Sequence, residues 1–449
     1  MKNYVHELAE FSVGLRYDDL SPSVRTAAKN VIKDTIGAMA AGSRLPQNTK
    51  LANLVSGLSA NGTSVVVGHK HKSQPMFAAL VNATAGVSLE LDEGPRVGGG
   101  PPAIHVLPGS LAFAEDHHLS GKKLIEALSA GYEILSRIAG SMILRPNVHS
   151  HGTWGTIGTS IAIGKMLELD LDSTKSLINL AASMSPANTW TPCFEGATIR
   201  NVYPGRSGMQ GILAVHLLQS GFTSLKDGPL DVYGTILARS FDPEMSVEGL
   251  GFGPMRIEQN YFKHYPCCLF NHPTLGAIEQ LMDTEQFAIG DIERIRVTTV
   301  NFGSDRMAGD YPRNMLGAKF HIPYAVSALL VRGSLDLEAF SDSSLSDPLI
   351  RELSQKITIE GDPKMDMRKS GYPFAAVQLI LKGGRSLESS SSSVKGDHEN
   401  PCSHEILEKK FRTVTREIFT QGQSDEILSK IDSLEQIDDM KELTELLMD

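Results

Sequence analysis

Cysteine is scarce in this chain: Cys193, Cys267, Cys268 and Cys402 are the four among 449 residues. No CxxC pair occurs, and the adjacent Cys267 and Cys268 have the spacing of neither a zinc site nor a thioredoxin-like motif. Disulfide scaffolds are cysteine-dense, so these read as reduced thiols of a cytoplasmic protein. Long apolar runs are missing too. None approaches the ~18 residues of a membrane span, and the opening MKNYVHELAEF has no apolar stretch of the signal-peptide kind. Basic residues are not in excess. Lys and Arg total 42 against 52 Asp and Glu, for a net charge of -10. A field of that sign repels phosphates and argues against a nucleic-acid partner. No HExxH, P-loop or dinucleotide fingerprint is present. What remains is an ordinary globular composition, 41% hydrophobic and 21% charged, which excludes disordered and collagen-like chains. The length suggests about two to three domains.

The first half reads mostly as helix. Ser21 suits an N-cap and Pro22 the first helical position. Val24, Ala28, Val31, Ile32, Ile36 and Met39 then recur at helical spacing before Gly42. The same pattern predicts helices over 76–89, 122–144, 155–167, 174–184 and 208–220. Ala83, Ala85, Gly86, Ala130, Gly131, Ala139 and Gly140 are small enough to let helices approach closely, although they also read simply as helix formers. After about residue 270 the pattern changes. IERIRVTTV (292–300) and KITIE (356–360) read as strands. AAVQLIL (375–381), the turn around Gly383-Gly384 and 386–389 read as a hairpin. A helix over 324–330 lies between, and Ser389–Ser393 reads as a solvated loop or a sheet-edge end. From His404 to Met448 the chain is helical again. The predicted fold is mainly α: a large all-helical domain, residues 1–268 plus 400–449, interrupted by a smaller α+β domain, residues 269–399.

Four segments concentrate chemistry. LELDEGPRVGGGPPAIHVLP (89–108) places Glu90, Asp92 and Glu93 at a helix end, then the glycine run 98–100 and His105. Those glycines suit a tight loop that brings backbone close to a ligand. NVHSHGTWGTIG (147–158) sets His149 and His151 before a helix start, whose free N–H groups favour a carboxylate. They lack the i,i+4 spacing of a helical zinc pair. IRNVYPGRSGMQG (199–211) sets Arg200, Tyr203 and Arg206 ahead of a helix, and arginine suits bidentate carboxylate binding. FKHYPCCLFNHP (262–273) holds Lys263, His264, Tyr265, two cysteines and His272. Cys267 has no triad partner by spacing, so a thiol nucleophile is a minor reading.

These segments, with the closing VKGDHENPCSHEILEKKF, occur in an order that resembles the MmgE/PrpD family over nearly the whole chain. That family includes 2-methylcitrate dehydratase, cis-aconitate decarboxylase and iminodisuccinate epimerase. The resemblance implies a large helical domain with a smaller α+β lid, a homodimer, and no metal or organic cofactor. It places Asp92 at the family's first active-site aspartate, His149 at the catalytic histidine of its HPTGT-type segment, and Lys263 at the lysine of its F-K-x-Y-P motif. Arg200 falls where decarboxylase-like members carry a substrate-binding lysine, and Tyr203 replaces a histidine. One departure stands out: the histidine that lyase members carry before A-x-x-V-L-P falls here on Pro101, with His105 four residues later.

The resemblance implies proton removal next to a carboxylate, with a base near neutral pKa and cations for the developing charge. Asp92, His149 and Lys263 are the candidate catalytic residues, with His149 first choice as base or acid. Arg200, Tyr203, His105, His151 and Tyr265 are candidate substrate-binding residues. The expected activity is a lyase that expels water or CO2 from a small di- or tricarboxylate. An epimerase of an amino- or imino-dicarboxylic acid is the alternative, and a catalytically idle metabolite-binding homologue is the third reading.

Overall fold

The computed structural model describes residues 3–59, 61–95, 99–365, 375–391 and 395–449. Gly98 of the glycine run, Ser392 and Ser393 of the serine run, and Val394 of the closing motif lie outside the described residues. Helices hold 60% of the chain and strands 10%, so the fold is mainly α with a smaller α+β part.

The helix Pro22–Ser43 starts as its residues dictate. The Ser21 side chain accepts the Val24 N–H, and Pro22 needs no amide hydrogen at the first position. Its apolar stripe is buried. Gly42 lies so close to the Ala85 carbonyl of the helix Pro75–Val87 that any side chain at 42 would collide. Pro102–Asp116, Gly121–Gly140, Gly155–Met166, Leu171–Ser183 and Val202–Gln219 complete the helical layer.

Two of these differ from the sequence reading. The helix expected over 122–144 stops at Gly140, and Met142–Leu144 becomes a strand paired antiparallel with Ala238–Phe241. Glycine is a poor helix former, and the three apolar residues gain ladder partners across the pair. The helix expected from 208 begins at Val202, so Tyr203 and Arg206 lie on it rather than ahead of it. Pro204 is tolerated because the first turn has no intrahelical use for its missing amide hydrogen.

The α+β part is a four-stranded sheet in the order Ser386–Ser391, Ala375–Leu381, Ile292–Thr299, Ile357–Gly361. The first three strands are antiparallel, and Ile292–Thr299 pairs parallel with Ile357–Gly361. Parallel pairing needs a crossover, supplied by helices that include Ile322–Arg332 and Pro348–Ser354. Ala375–Leu381 alternates buried and half-buried residues, as a strand with one covered face must. Gly383 and Gly384 turn the hairpin at φ of 85° and 86°, a region that disfavours other residues.

The apolar side chains form two principal clusters. One runs from Tyr4 to Phe262 and takes in Leu407 to Leu447 from the C-terminal helices. The other comprises Cys193 and residues from Tyr265 to Leu387. The seam between them crosses the chain at Lys263 and His264. The C-terminal helix His404–Thr415 closes the first cluster by laying Phe411 against Gly37. Among the described residues, no helix is long and apolar enough to cross a membrane.

Candidate functional site

A two-residue antiparallel pair builds the centre of the site. Gly94 pairs with Tyr261 and Pro95 with Asn260. Continuing that register sets Asp92 opposite Lys263, and Lys263 Nζ lies 3.1 Å from Asp92 Oδ1. The same ammonium lies 2.9 Å from Glu90 Oε2. Arg200, in the turn Thr198–Asn201, brings Nη1 to 2.5 Å from Glu90 Oε1 as an ion pair and covers the Phe320 ring. All four charged side chains are at most 3% exposed. Glu90 reaches both cations from a left-handed backbone, φ 55°, uncommon for a residue with a Cβ.

Burial opposes charge here, and the ion pairs decide which groups keep it. Burial alone would push the Glu90 carboxyl up, but Arg200 and then Lys263 hold it below the usual carboxylate range. Burial likewise presses the Lys263 ammonium down, yet Asp92 and Glu90 hold it above its ordinary value. Asp92 goes the other way: burial raises it, Lys263 counters only in part, and Glu90 adds to the rise. Asp92 Oδ2 and Arg200 Nε have no hydrogen-bond partner. Next door, Glu93 accepts the Ala103 N–H at 2.9 Å and the Tyr132 hydroxyl at 2.7 Å, and burial pushes its carboxyl up to about 8.

The histidine segment 149–151 forms a tight turn ahead of the helix Gly155–Met166. Asn188 holds it: its carbonyl accepts the His149 N–H at 2.9 Å, and its side chain donates to the His151 carbonyl at 2.8 Å. The His151 N–H donates to His149 Nδ1 at 2.9 Å. That lone pair is therefore engaged and the His149 proton sits on Nε2, which has no partner. The sequence reading made His149 the first choice as base or acid. The hydrogen bond leaves it a neutral N–H donor, lying flat on Trp190 with ring centroids 3.8 Å apart. His151 is the more base-like ring, with Nδ1 buried and unpartnered. Burial and then the Arg200 charge hold both imidazoles well below the ordinary value.

The other expected residues fall into two groups. Tyr203 stands edge-on to His149 at 5.8 Å and donates to the Thr189 carbonyl at 3.4 Å. His105 has no free nitrogen. Its Nδ1–H donates to the Pro101 carbonyl at 2.6 Å, its Nε2 accepts the Gly152 N–H at 2.8 Å, and burial lowers its pKa to about 4. It therefore anchors the histidine turn and has no nitrogen left for a ligand, a correction to its expected binding role. Tyr265 belongs to the second core, wedged edge-on between His264 and His272, and the acids acting on it are Glu279 and Asp283 rather than Asp92. It is not brought into the cluster.

Three residues escaped the sequence reading: Asn188, Trp190 and Lys319. Lys319 is fully buried, donates to the Pro266 carbonyl at 2.6 Å, and is lowered by burial to about 7. A lysine inside the apolar run LGAKFHIPYA was the available signal. Among the described residues, His404, Glu408 and Asp432 have side chains close enough to share a cation. The Lys33 ammonium sits among them, 3.0 Å from Asp432 and 3.4 Å from His404, and marks an ion-pair cluster. A cavity of about 400 Å³ lined by Arg16, Lys123, Glu126 and Lys165 contains none of the candidate residues.

Comparison with known proteins adds the family. The MmgE/PrpD N-terminal domain matches residues 6–243 and the C-terminal domain residues 265–436. A cis-aconitate decarboxylase of Aspergillus terreus is 24% identical, covering 98% of this chain and 95% of its own. The cis-aconitate decarboxylase of Mus musculus is 24% identical over 100% of this chain and 94% of its own. That of Homo sapiens is 26% identical over 100% and 95%. With both domains matched in order along most of its length, the chain belongs to the MmgE/PrpD family.

Proposed function

We propose that this protein is an enzyme that acts next to a carboxylate of a small di- or tricarboxylic acid, with no metal or organic cofactor, either removing a proton and expelling water or expelling CO2 and returning a proton to the carbon. One observation carries the reading: two neutral imidazoles, each keeping a nitrogen without a partner, lie near enough to the buried Arg200 for its charge to lower their basicity, and Lys263 acts on His151 in the same way. Buried polar atoms are normally satisfied, so such a cluster calls for a ligand. Relatives named cis-aconitate decarboxylase support the lyase class.

In this proposal Arg200 and Lys263 hold a substrate carboxylate and the enolate-like charge that develops when the proton, or CO2, leaves. His149 donates through Nε2 to the same charge, a role suited to a neutral imidazole. Asp92, raised toward its protonated form, exchanges the proton through its free Oδ2, with His151 as the second exchanging group. Tyr203 lines the ligand space. Residues 269–399 act as the lid over 1–268 and 400–449, in a cytoplasmic homodimer.

The epimerase reading is the second one, and His105 favours it. The family resemblance puts Pro101 where lyase members carry a histidine, and His105 cannot replace it because both nitrogens are taken. Proton transfer without a leaving group needs no such acid. Proton NMR in D2O with 2-methylcitrate, citrate, cis-aconitate and iminodisuccinate separates the cases. Loss of substrate with new vinyl signals supports the lyase. Deuterium at the α carbon without net loss supports the epimerase. Thermal stabilisation without turnover or exchange would leave a metabolite-binding homologue and overturn both.

A further inference from the structure

The cavity of about 400 Å³ described above has the size of a small-metabolite site. Four helices converge on it. Tyr4–Gly14 and the loop after it bring Ser12 and Arg16, Gly121–Gly140 brings Lys123 and Glu126, Gly155–Met166 brings Lys165, and Leu171–Ser183 brings Thr174. Lys165 stands on the last turn of the helix that follows the histidine turn, about 15 Å along its axis from Gly155.

The cations of this cavity are incompletely paired. Lys165 Nζ, on a side chain 5% exposed, donates to the Val13 carbonyl at 3.1 Å and lies 3.6 Å from Glu126 Oε1. An ammonium has three hydrogens to place, and this one makes a single hydrogen bond among the described residues. Burial presses it down to about 8; Glu126 pulls the other way, and Arg16 and Lys123 add to the fall. Glu126 is engaged at both oxygens: one accepts the Tyr17 N–H at 2.8 Å, and the other also takes Lys123 at 3.4 Å. Lys123 reaches on to the exposed Glu168 at 2.9 Å. Arg16 donates to the Val13 and Leu15 carbonyls and has no carboxylate partner among the described residues. Arg16, Lys123 and Lys165 thus outnumber Glu126 and Glu168, in a chain whose net charge is -10. The local field is reversed, and an oxyanion entering it meets donors without displacing an acid.

We propose that this cavity is a second ligand site, for a small hydroxylated oxyanion. Lys165 and Lys123 meet its phosphate or carboxylate group as point charges, and Arg16 meets it with a planar fork. Glu168 accepts from its hydroxyl groups, and the buried Ser12 and Thr174 add hydroxyls to the wall. The site shares no residue with the cluster around Lys263 and His149, so it stands or falls apart from the proposed reaction.

The test is calorimetric titration of the full chain, at constant ionic strength, with glycerol 3-phosphate and with glycerate. The two probes both carry hydroxyls and differ in the anion, so their ratio tells phosphate from carboxylate. At least one is expected to bind. Arg16→Met and Lys165→Met, checked for folding by circular dichroism, should each weaken that binding by about tenfold or more, as loss of a hydrogen bond to a charged group does. His149→Gln should leave it unchanged. Should K165M fail to fold, R16M decides, because Arg16 is exposed. Binding that a folded R16M leaves unchanged overturns the proposal. Binding that H149Q weakens as much as R16M does places the anion at the histidine cluster and overturns it too. Absence of binding by both probes overturns it outright, and leaves the proposed reaction untouched.

Discussion

Asp92 and Lys263 face each other across an antiparallel pair only two residues long, their charged atoms 3.1 Å apart and both side chains buried. Residues 171 positions apart in sequence thus depend on two ladder pairs, Gly94 with Tyr261 and Pro95 with Asn260, for their meeting.

Removing the lysine should therefore be severe. Lys263→Met leaves Glu90 and Asp92 facing each other with Arg200 as the main counter-charge. Breaking a buried pair on one side costs about 3–5 kcal/mol. Urea denaturation should show that loss, and turnover should fall below detection even where the variant is folded. A stable and active K263M would remove the lysine from the site.

The pH dependence of stability should carry the signature of Glu93. Its folded value is raised to about 8, so the fold favours the protonated acid. That contribution is fully present below the unfolded value and is lost as pH rises through the folded one, a window of about pH 4 to 8. Glu93→Gln mimics the protonated form. The melting temperature of the variant minus that of the wild type should climb steadily from about pH 5 to 8. A flat difference would show Glu93 ionised in the fold.

Trp190 fixes the plane of His149 by stacking on it. Trp190→Leu should leave the fold intact, since the indole is only half-buried, and lower kcat by less than the about 10²-fold that outright loss of a positioned donor costs. Trp190→Phe should recover most of it. Trp154 is the other tryptophan, so in a Trp154→Phe background the emission of Trp190 reports ligand binding directly.

Lys410 locks the acidic loop from outside. Its ammonium lies 2.6 Å from the buried Asp34 and 2.9 Å from the Leu91 carbonyl, next to Asp92. Lys410→Ala should speed hydrogen exchange of the amides of residues 90–93 and reduce kcat while KM changes little. Unchanged exchange would mean that the loop holds itself.

How much of this was legible in the sequence follows from how local each signal is. The Ser21-Pro22 helix start, the Gly383-Gly384 hairpin and the switch from helical to alternating periodicity depend on neighbouring residues, and each was readable. The candidate site was readable only through several motifs taken together. The role of His105 followed from one boundary: with the helix starting at Pro102, its Nδ1 meets the Pro101 carbonyl four residues back. Glu90 looked like one of three adjacent acids, because nothing in LELDEG signals a positive φ. Lys319 was not singled out, because burial by a distant loop leaves no periodicity behind.

The C-terminal return has a consequence for synthesis. The second core draws on Cys193 and residues 265–387, all of which leave the ribosome before residues 407–447. The first core needs those later residues, and so does the Lys410 lock on Leu91. Domains generally fold N-terminal first as the chain emerges; here the residues of the second core are complete before those of the first. The smaller unit can close while the larger one, begun hundreds of residues earlier, still waits for Phe411 and its neighbours. Until they arrive the acidic loop is unbraced, so a nascent chain carries every candidate site residue and no assembled site.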